Sequence, residues 1–513
     1  MSRPTRAELQ TAAVSGSIWT SFHATLALPL AVAVNVIVAR TLGPIQLGYL
    51  ATLIAAYGIA TTVANMGVSD ATIQWGAGAF ARGTSEKLAE LVRRCSGYHL
   101  VVETPLIVGV TAVLLRNAAW ETQLAACLAA GLGMAIGTGS IVQTLLSRTA
   151  TVARVSVVTN VALQVSVATA AASTRSGFAT WAVRVVAANI VPLVLLLRLP
   201  SALRSAVLRP LAPWRWPQGF LPYAAKAAVG ALMSMLVFSR SEIFVLQAQH
   251  LAFAAGVYAL AFGLAAQLTA PVDALLGPML PAAASLAATA PERLAGALLR
   301  GIRFTALAAG CIAALAIPTF SALIGTIYGG RFDAVAQLLL PLALVSCVQS
   351  LNHPVTAFLY GMRRVGAMLL INAAAFAVDI AIAIATVGSL RVWGATLANA
   401  AGQLLSLAAA AALLKRELSL PLTAVAGAMR TFVEGAVAAG CGWLAANVLA
   451  PPALPAAAQA ALGLVAGGAV FLGLQRLGRP ALTREDVTVL AEGMPTKLRR
   501  PVARTLCFLG FAP

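Results

Sequence analysis

The stretch AAVGALMSMLVFSRSEIFVLQA, residues 227 to 248, is apolar along most of its length yet carries Arg240 and Glu242 two positions apart. On the surface of a soluble helix such a pair would be unremarkable. In hydrocarbon each charge is costly and marks a pathway, a binding site or an ion pair. Composition decides between the two solvents: of 513 residues 60% are hydrophobic and only 10% charged, with a mean hydropathy of +0.88, where soluble domains carry about 25% charged residues. The chain is therefore expected to be an all-α polytopic membrane protein.

Working outward from this run, apolar segments of about 20 residues are long enough for a hydrocarbon core of ~30 Å. They predict about fourteen transmembrane helices: 16–39, 47–70, 95–115, 122–146, 152–172, 178–199, 222–248, 256–280, 302–326, 334–359, 366–388, 393–414, 429–449 and 457–476. Most of the 35 Lys and Arg residues fall on one side of this ladder, in segments such as 82–94, 198–226 and 476–504. That side is expected to be cytoplasmic, which puts both termini there.

The net charge of +19 is accounted for by basic inner loops meeting anionic lipid headgroups. It calls for no nucleic-acid partner. Cys95, Cys127, Cys311, Cys347, Cys441 and Cys507 show neither a disulfide framework nor metal-ligand spacing. None of Lys87, Lys226, Lys415 and Lys497 follows a glycine, so no phosphate-cradling GxxxxGK[ST] loop exists. HExxH, CxxC and GxSxG strings are likewise absent from the sequence. Outer loops of at most about ten residues leave no room for a catalytic domain of the kind a membrane polymerase or ligase would use, so an enzyme is not expected.

Displaced by 209 positions, ARTLGPIQLGYLA (39–51) lies over AQHLAFAAGVYAL (248–260), pairing Ala39 with Ala248, Leu42 with Leu251 and Tyr49 with Tyr258. Each segment joins the first two helices of a six-helix block, and an even number of helices per block implies parallel repeats. The expected domains are 1–215 and 216–418, each a six-helix bundle, and 419–513, two extra helices with a basic tail. The basic linker RLPSALRSAVLRPLAPWRWPQGFLP (198–222) reads either as a headgroup-level segment or as an ordinary inner loop.

VARTLGPIQLGYLATLIAAYGIATTVANMGVSDA (38–71) resembles the first loop and second helix of the Wzx-type polysaccharide-lipid flippases, within the multidrug/oligosaccharidyl-lipid/polysaccharide exporter superfamily. RSEIFVLQAQHLAFAAGVYALA (240–261), IGTIYGGRFDAVAQLLLPLALV (324–345) and LTREDVTVLAEGMPTKLRR (482–500) are similar to that family too. The sequence departs from the pattern at Asn65, where an acidic residue is common, and at Glu242, where aspartate is commoner.

The resemblance implies two six-helix bundles facing a central cavity. The implied activity is transfer of an undecaprenyl-diphosphate-linked oligosaccharide between leaflets by alternating access, with no cofactor, powered by Na+, H+ or the membrane potential. Polysaccharide polymerase or assembly proteins would be partners. A diphosphate cannot cross hydrocarbon unpaired, so cationic lining is required. Arg240, Lys226, Arg184, His23 and His353 are the candidates. Lys226 and Arg240 are fourteen residues apart, on nearly one helix face and ~21 Å apart along the axis. Asp379, Asp273, Glu103 and Glu242 are candidates for coupling a cation or balancing charge. A multidrug cation antiporter of the same fold and a lipid II flippase are the alternative readings, the first disfavoured by the basic residues in helices 6 and 7.

Overall fold

A chain this apolar must satisfy every backbone N–H and C=O internally, which in hydrocarbon selects helices. The computed structural model has that form. It describes residues 6–81, 84–146, 149–235, 241–276, 279, 283, 286, 291–362, 364–451, 453–478 and 480–487. Arg240 lies outside the described residues, as does the side chain of His23. Among the described residues twelve helices are long and apolar enough to cross a membrane.

The structure divides into two units, Met1–Leu236 and Val237–Pro513. Unit 1 contains α1 (Arg6–Asn65), α2 (Val68–Ala81), α3 (Ser85–Tyr98), a π-helical turn (His99–Glu103), α4 (Thr104–Leu114), α5 (Trp120–Ile136), α6 (Thr138–Leu145), α7 (Thr149–Thr174), α8 (Gly177–Ala188), α9 (Ile190–Leu197), α10 (Ser201–Leu208) and α11 (Phe220–Met235). Unit 2 contains α12 (Ser241–Ala248), α13 (Ala252–Leu276), α14 (Leu294–Tyr328), α15 (Asp333–Gly361), α16 (Val365–Leu390), α17 (Val392–Leu418), α18 (Leu422–Leu444) and α19 (Ala456–Leu477).

The difference between twelve spans and the fourteen expected has a local origin. The runs at 16–39 and 47–70 join in α1, which bends at Gly43 (φ 69°) just before Pro44. Positive φ is open to glycine at little cost, and proline withholds an N–H from the preceding turn. Within the run at 222–248 the described residues form α11 and α12, and residues 236–240 lie outside the description.

A second break positions the unit 1 site. α1 ends at Asn65, Met66 and Gly67 both adopt positive φ (46° and 69°), and α2 starts at Val68. Gly67 is required twice over, because a Cβ there would lie 2.1 Å from the Ala224 carbonyl oxygen of α11. Tyr98 donates from its hydroxyl to the Ala64 carbonyl at 2.7 Å, satisfying one acceptor that the break leaves free. Trp181, almost fully buried on α8, packs edge-on against Tyr57 of α1 with ring centroids 5.5 Å apart.

The linker after α9 is pinned to α3. Leu211 N–H donates to the Arg93 carbonyl at 2.9 Å, Arg93 Nε donates to the Arg209 carbonyl at 2.8 Å, and Arg94 donates to the Arg215 carbonyl. In unit 2 the last two long helices, α18 and α19, pack directly on α14. A Cβ on Gly435 would lie 2.4 Å from Gly310 Cα, and one on Gly467 would lie 2.2 Å from the Ala314 oxygen. Between helices in lipid, small residues of this kind give van der Waals contact that larger side chains would block.

Candidate functional site

Polar side chains in an apolar span are informative because each must find a partner or remain unsatisfied. Each unit holds such a constellation among its described residues. That of unit 2 begins at the first turn of α12. Ser241 Oγ donates to Asp379 Oδ2 on α16 at 2.5 Å, and Asn399 Nδ2 on α17 donates to Glu242 Oε1 at 2.6 Å. Glu242 and Asp379 are both 0% exposed, and the Ser241 hydroxyl bonded to Asp379 belongs to the residue preceding Glu242, which brings the two carboxylates into one buried pocket of polar groups. Glu242 Oε2, Asp379 Oδ1 and the Tyr258 hydroxyl have no hydrogen-bond partner among the described residues. No Lys, Arg or His among them forms an ion pair with either carboxylate.

Local sequence builds this geometry by helical spacing. Thr396, Asn399, Gln403 and Ser406 recur every three to four residues along α17 and are all buried, so they form one polar stripe. Ser406 accepts a hydrogen bond from Asn352 of α15 at 2.9 Å. Gly402 sits in this stripe, where a Cβ would come 3.1 Å from Asp379 Cβ. The missing side chain lets α16 bring its carboxylate close.

The unit 1 constellation surrounds the helix break. Thr61, Thr62, Asn65, Asp70 and Glu103 line a cavity of about 310 Å³, closed on the α11 side by Ala228 and Ala231. Glu103 is 4% exposed. Its Oε2 lies 3.5 Å from His99 Nε2, one π-turn earlier, and Cys95 Sγ lies 3.6 Å from the same nitrogen. Asn65 Nδ2 donates to Ser69 Oγ at 2.6 Å.

The remaining expected site residues are spread over both units. His353 Nε2 and Asp273 Oδ1 meet at 3.5 Å in unit 2, both partly exposed, with Ser350 Oγ donating to Asp273 at 2.7 Å. Arg184 is partly buried on α8, and Lys226 is exposed on α11. Lys226 lies on the face away from the cavity, since Ala224, Ala228, Ala231 and Met235 form the face turned into unit 1. The track from Lys226 to Arg240 falls partly outside the described residues. Among those residues, no group of three or more His, Cys, Asp or Glu side chains is placed to hold a metal ion.

Sequence reasoning weighted charged residues and passed over Ser241, Asn399, Gln403 and His99, while Asn65 stood out only as a departure from a family pattern. A signal for the α17 stripe was present: amides and hydroxyls at helical spacing in an otherwise apolar run.

Residues 37–337 match the family described as polysaccharide biosynthesis protein. The chain belongs to that family. No curated protein matches it by sequence. Among solved structures, the chain resembles the lipid II flippase MurJ in an inward closed conformation, with TM-score 0.60 and 11% identity, covering 90% of this chain and 98% of MurJ. It also resembles a MOP superfamily transporter from Pyrococcus furiosus with a binding pocket of reversed polarity (TM-score 0.58, 13% identity, 82% and 99% covered). A third is a MATE transporter in complex with MaD3S (TM-score 0.56, 15% identity, 80% and 96% covered). The chain thus shares the fold of these transporters and of the flippase.

Proposed function

We propose that this polysaccharide biosynthesis protein flips an undecaprenyl-diphosphate-linked oligosaccharide from the inner to the outer leaflet of the bacterial inner membrane, by alternating access, with both termini cytoplasmic. The observation that carries this reading is the family match over residues 37–337 on a chain with twelve apolar spans among its described residues. Arg240, Lys226 and Arg184 supply cations for the diphosphate, and the product feeds a polysaccharide polymerase.

The Glu242 and Asp379 pair supplies coupling. Two adjacent carboxylates with no exposure to water cannot both remain ionised and unneutralised. With no basic partner among the described residues, a proton or a monovalent cation accompanies them in this reading, and exchanging it ties the state of unit 2 to an ion gradient.

The test is genetic and chemical. In a deletion strain, the complete lipid-linked repeat unit should accumulate on the inner leaflet and surface polysaccharide should be lost. Normal exposure of that unit on the outer face, with no paralogue present, sinks the reading. Lipid II is the second candidate substrate, favoured by the likeness to MurJ. If the deletion strain instead halts peptidoglycan synthesis while its repeat units still emerge, that assignment replaces the first.

A further inference from the structure

We infer that the unit 1 cavity is a subsite for a single sugar ring without negative charge, a neutral or amino sugar. The flippase reading enters only as the source of that ring, the glycan of the lipid-linked substrate.

Size is the first consideration. At about 310 Å³ the cavity is roughly ten times the ~30 Å³ share of one water in the liquid, and it reaches the lower end of ligand pockets at about 300 Å³. A bare cation would leave most of it empty. It has room for one pyranose ring.

Hydrogen-bond inventory is the second. Thr61 and Thr62 spend their hydroxyl hydrogens on the Gly58 carbonyl, at 2.9 Å each. Asn65 directs its NH₂ group to Ser69. Asp70 and Glu103, when ionised, only accept. The wall therefore presents acceptors and few free donors, among them the carboxylate of Glu103, whose Oε2 is buried toward His99 Nε2 at 3.5 Å. A matching ligand must bring donors. Sugar hydroxyls and ammonium groups do so, and their bonds to a carboxylate are charge-assisted.

Charge is the third. Among the described residues no Lys or Arg lines the cavity, so a uronate or a phosphate would bring acceptors to acceptors and negative charge to negative charge. Ala228 and Ala231 offer an apolar wall for the C–H face of the ring. The diphosphate must be held elsewhere.

The experiment is saturation-transfer NMR on the full chain in lipid nanodiscs, with millimolar methyl glucoside, methyl glucosaminide and methyl glucuronoside as separate probes. The first two should give signals and the third none. Glu103→Gln should weaken the glucoside signal about tenfold, the usual consequence of losing a hydrogen bond to a charged group. Because a buried Gln could disturb folding, Ala231→Leu is the second variant. Its position is exposed, it fills the cavity without touching the carboxylates, and it should abolish the signal at normal abundance. Equal signals from wild type and Ala231→Leu overturn the inference. So does a glucuronoside signal as strong as that of glucoside, or glucoside silence accompanied by ²³Na line broadening that Glu103→Gln removes. If no glycoside binds while cells still export the repeat unit, only this inference falls. If glycosides bind while the deletion strain exports normally, the flippase reading falls and the subsite stands.

Discussion

Arg303 grips Asp486 through two hydrogen bonds, Nε to Oδ2 at 2.7 Å and Nη2 to Oδ1 at 2.9 Å. Arg300 adds a third, Nε to Oδ1 at 3.1 Å. Asp486 also closes a capping box with Thr483: its carboxylate accepts from the Thr483 N–H at 2.8 Å, and the Thr483 hydroxyl accepts from the Asp486 N–H at 3.2 Å. The segment following α19 is thereby fastened to the first turns of α14.

The clamp should be sensitive to acid. Burial alone would raise the Asp486 carboxyl, but Arg303 and the Thr483 N–H and hydroxyl outweigh it and hold the group at about 2, against an ordinary 3.8. In the pH interval between those values the unfolded chain binds the proton and the folded chain does not, so the stabilisation is complete above about pH 4 and is lost as pH falls through 2. Asp486→Asn should lower stability by about 1.5–3 kcal/mol near neutrality, the scale of hydrogen bonds to charged groups. Thermal unfolding in detergent at a series of pH values checks this: the gap between wild type and variant should close toward pH 2.

Glu242→Gln and Asp379→Asn should each abolish transport while leaving abundance unchanged or raised, since each removes a charge from a water-free site. Surface polysaccharide and membrane abundance, measured together, give the answer. Full transport by either variant would remove the pair from coupling. Asn399→Ala should behave differently and reduce abundance, because it strips the Glu242 carboxylate of its amide partner.

Gly67→Ala should fold poorly. The left-handed backbone alone costs roughly 1–2 kcal/mol with a side chain, and the Ala224 oxygen at 2.1 Å adds a clash. Gly109→Ala on α4, with nothing within 4 Å of its Cβ, should stay within about 0.5 kcal/mol of wild type. Membrane abundance of the two variants, side by side, is the measurement.

Arg240→Lys should retain partial transport, because it keeps the charge and loses the bidentate fork. Arg240→Ala should abolish transport at normal abundance. If Arg240→Ala instead lowers abundance, and removing an acidic partner restores both abundance and transport, Arg240 holds a structural ion pair and not the diphosphate.

Hydropathy was enough to read the spans, because lipid imposes the same length and apolarity on each of them. The two turns that shape α1 were harder to see. Gly43-Pro44 carries its own breaker, but Gly67 stands in an apolar run and needs the Ala224 carbonyl, 157 residues away, to explain it. The site was legible in its charges and not in its pairings. Glu242 and Asp379 stood out as ionisable residues, while their neighbours Asn399 and Ser241 became meaningful only once α12, α16 and α17 were brought together. Lys226, conspicuous as a charge within an apolar run, is exposed on the face of α11 opposite the unit 1 cavity, a placement that sequence alone did not give.

The π-wound segment His99–Glu103 holds one residue more than an α-helix of equal rise. A single-codon deletion between Tyr98 and Thr104 would therefore leave α3 and α4 facing their present neighbours. The same deletion inside α4 would swing everything downstream by about 100°. Length variation among homologous genes should accordingly concentrate at this point of the span, and chains one residue shorter there should also lack the inward carboxylate that the bulge presents.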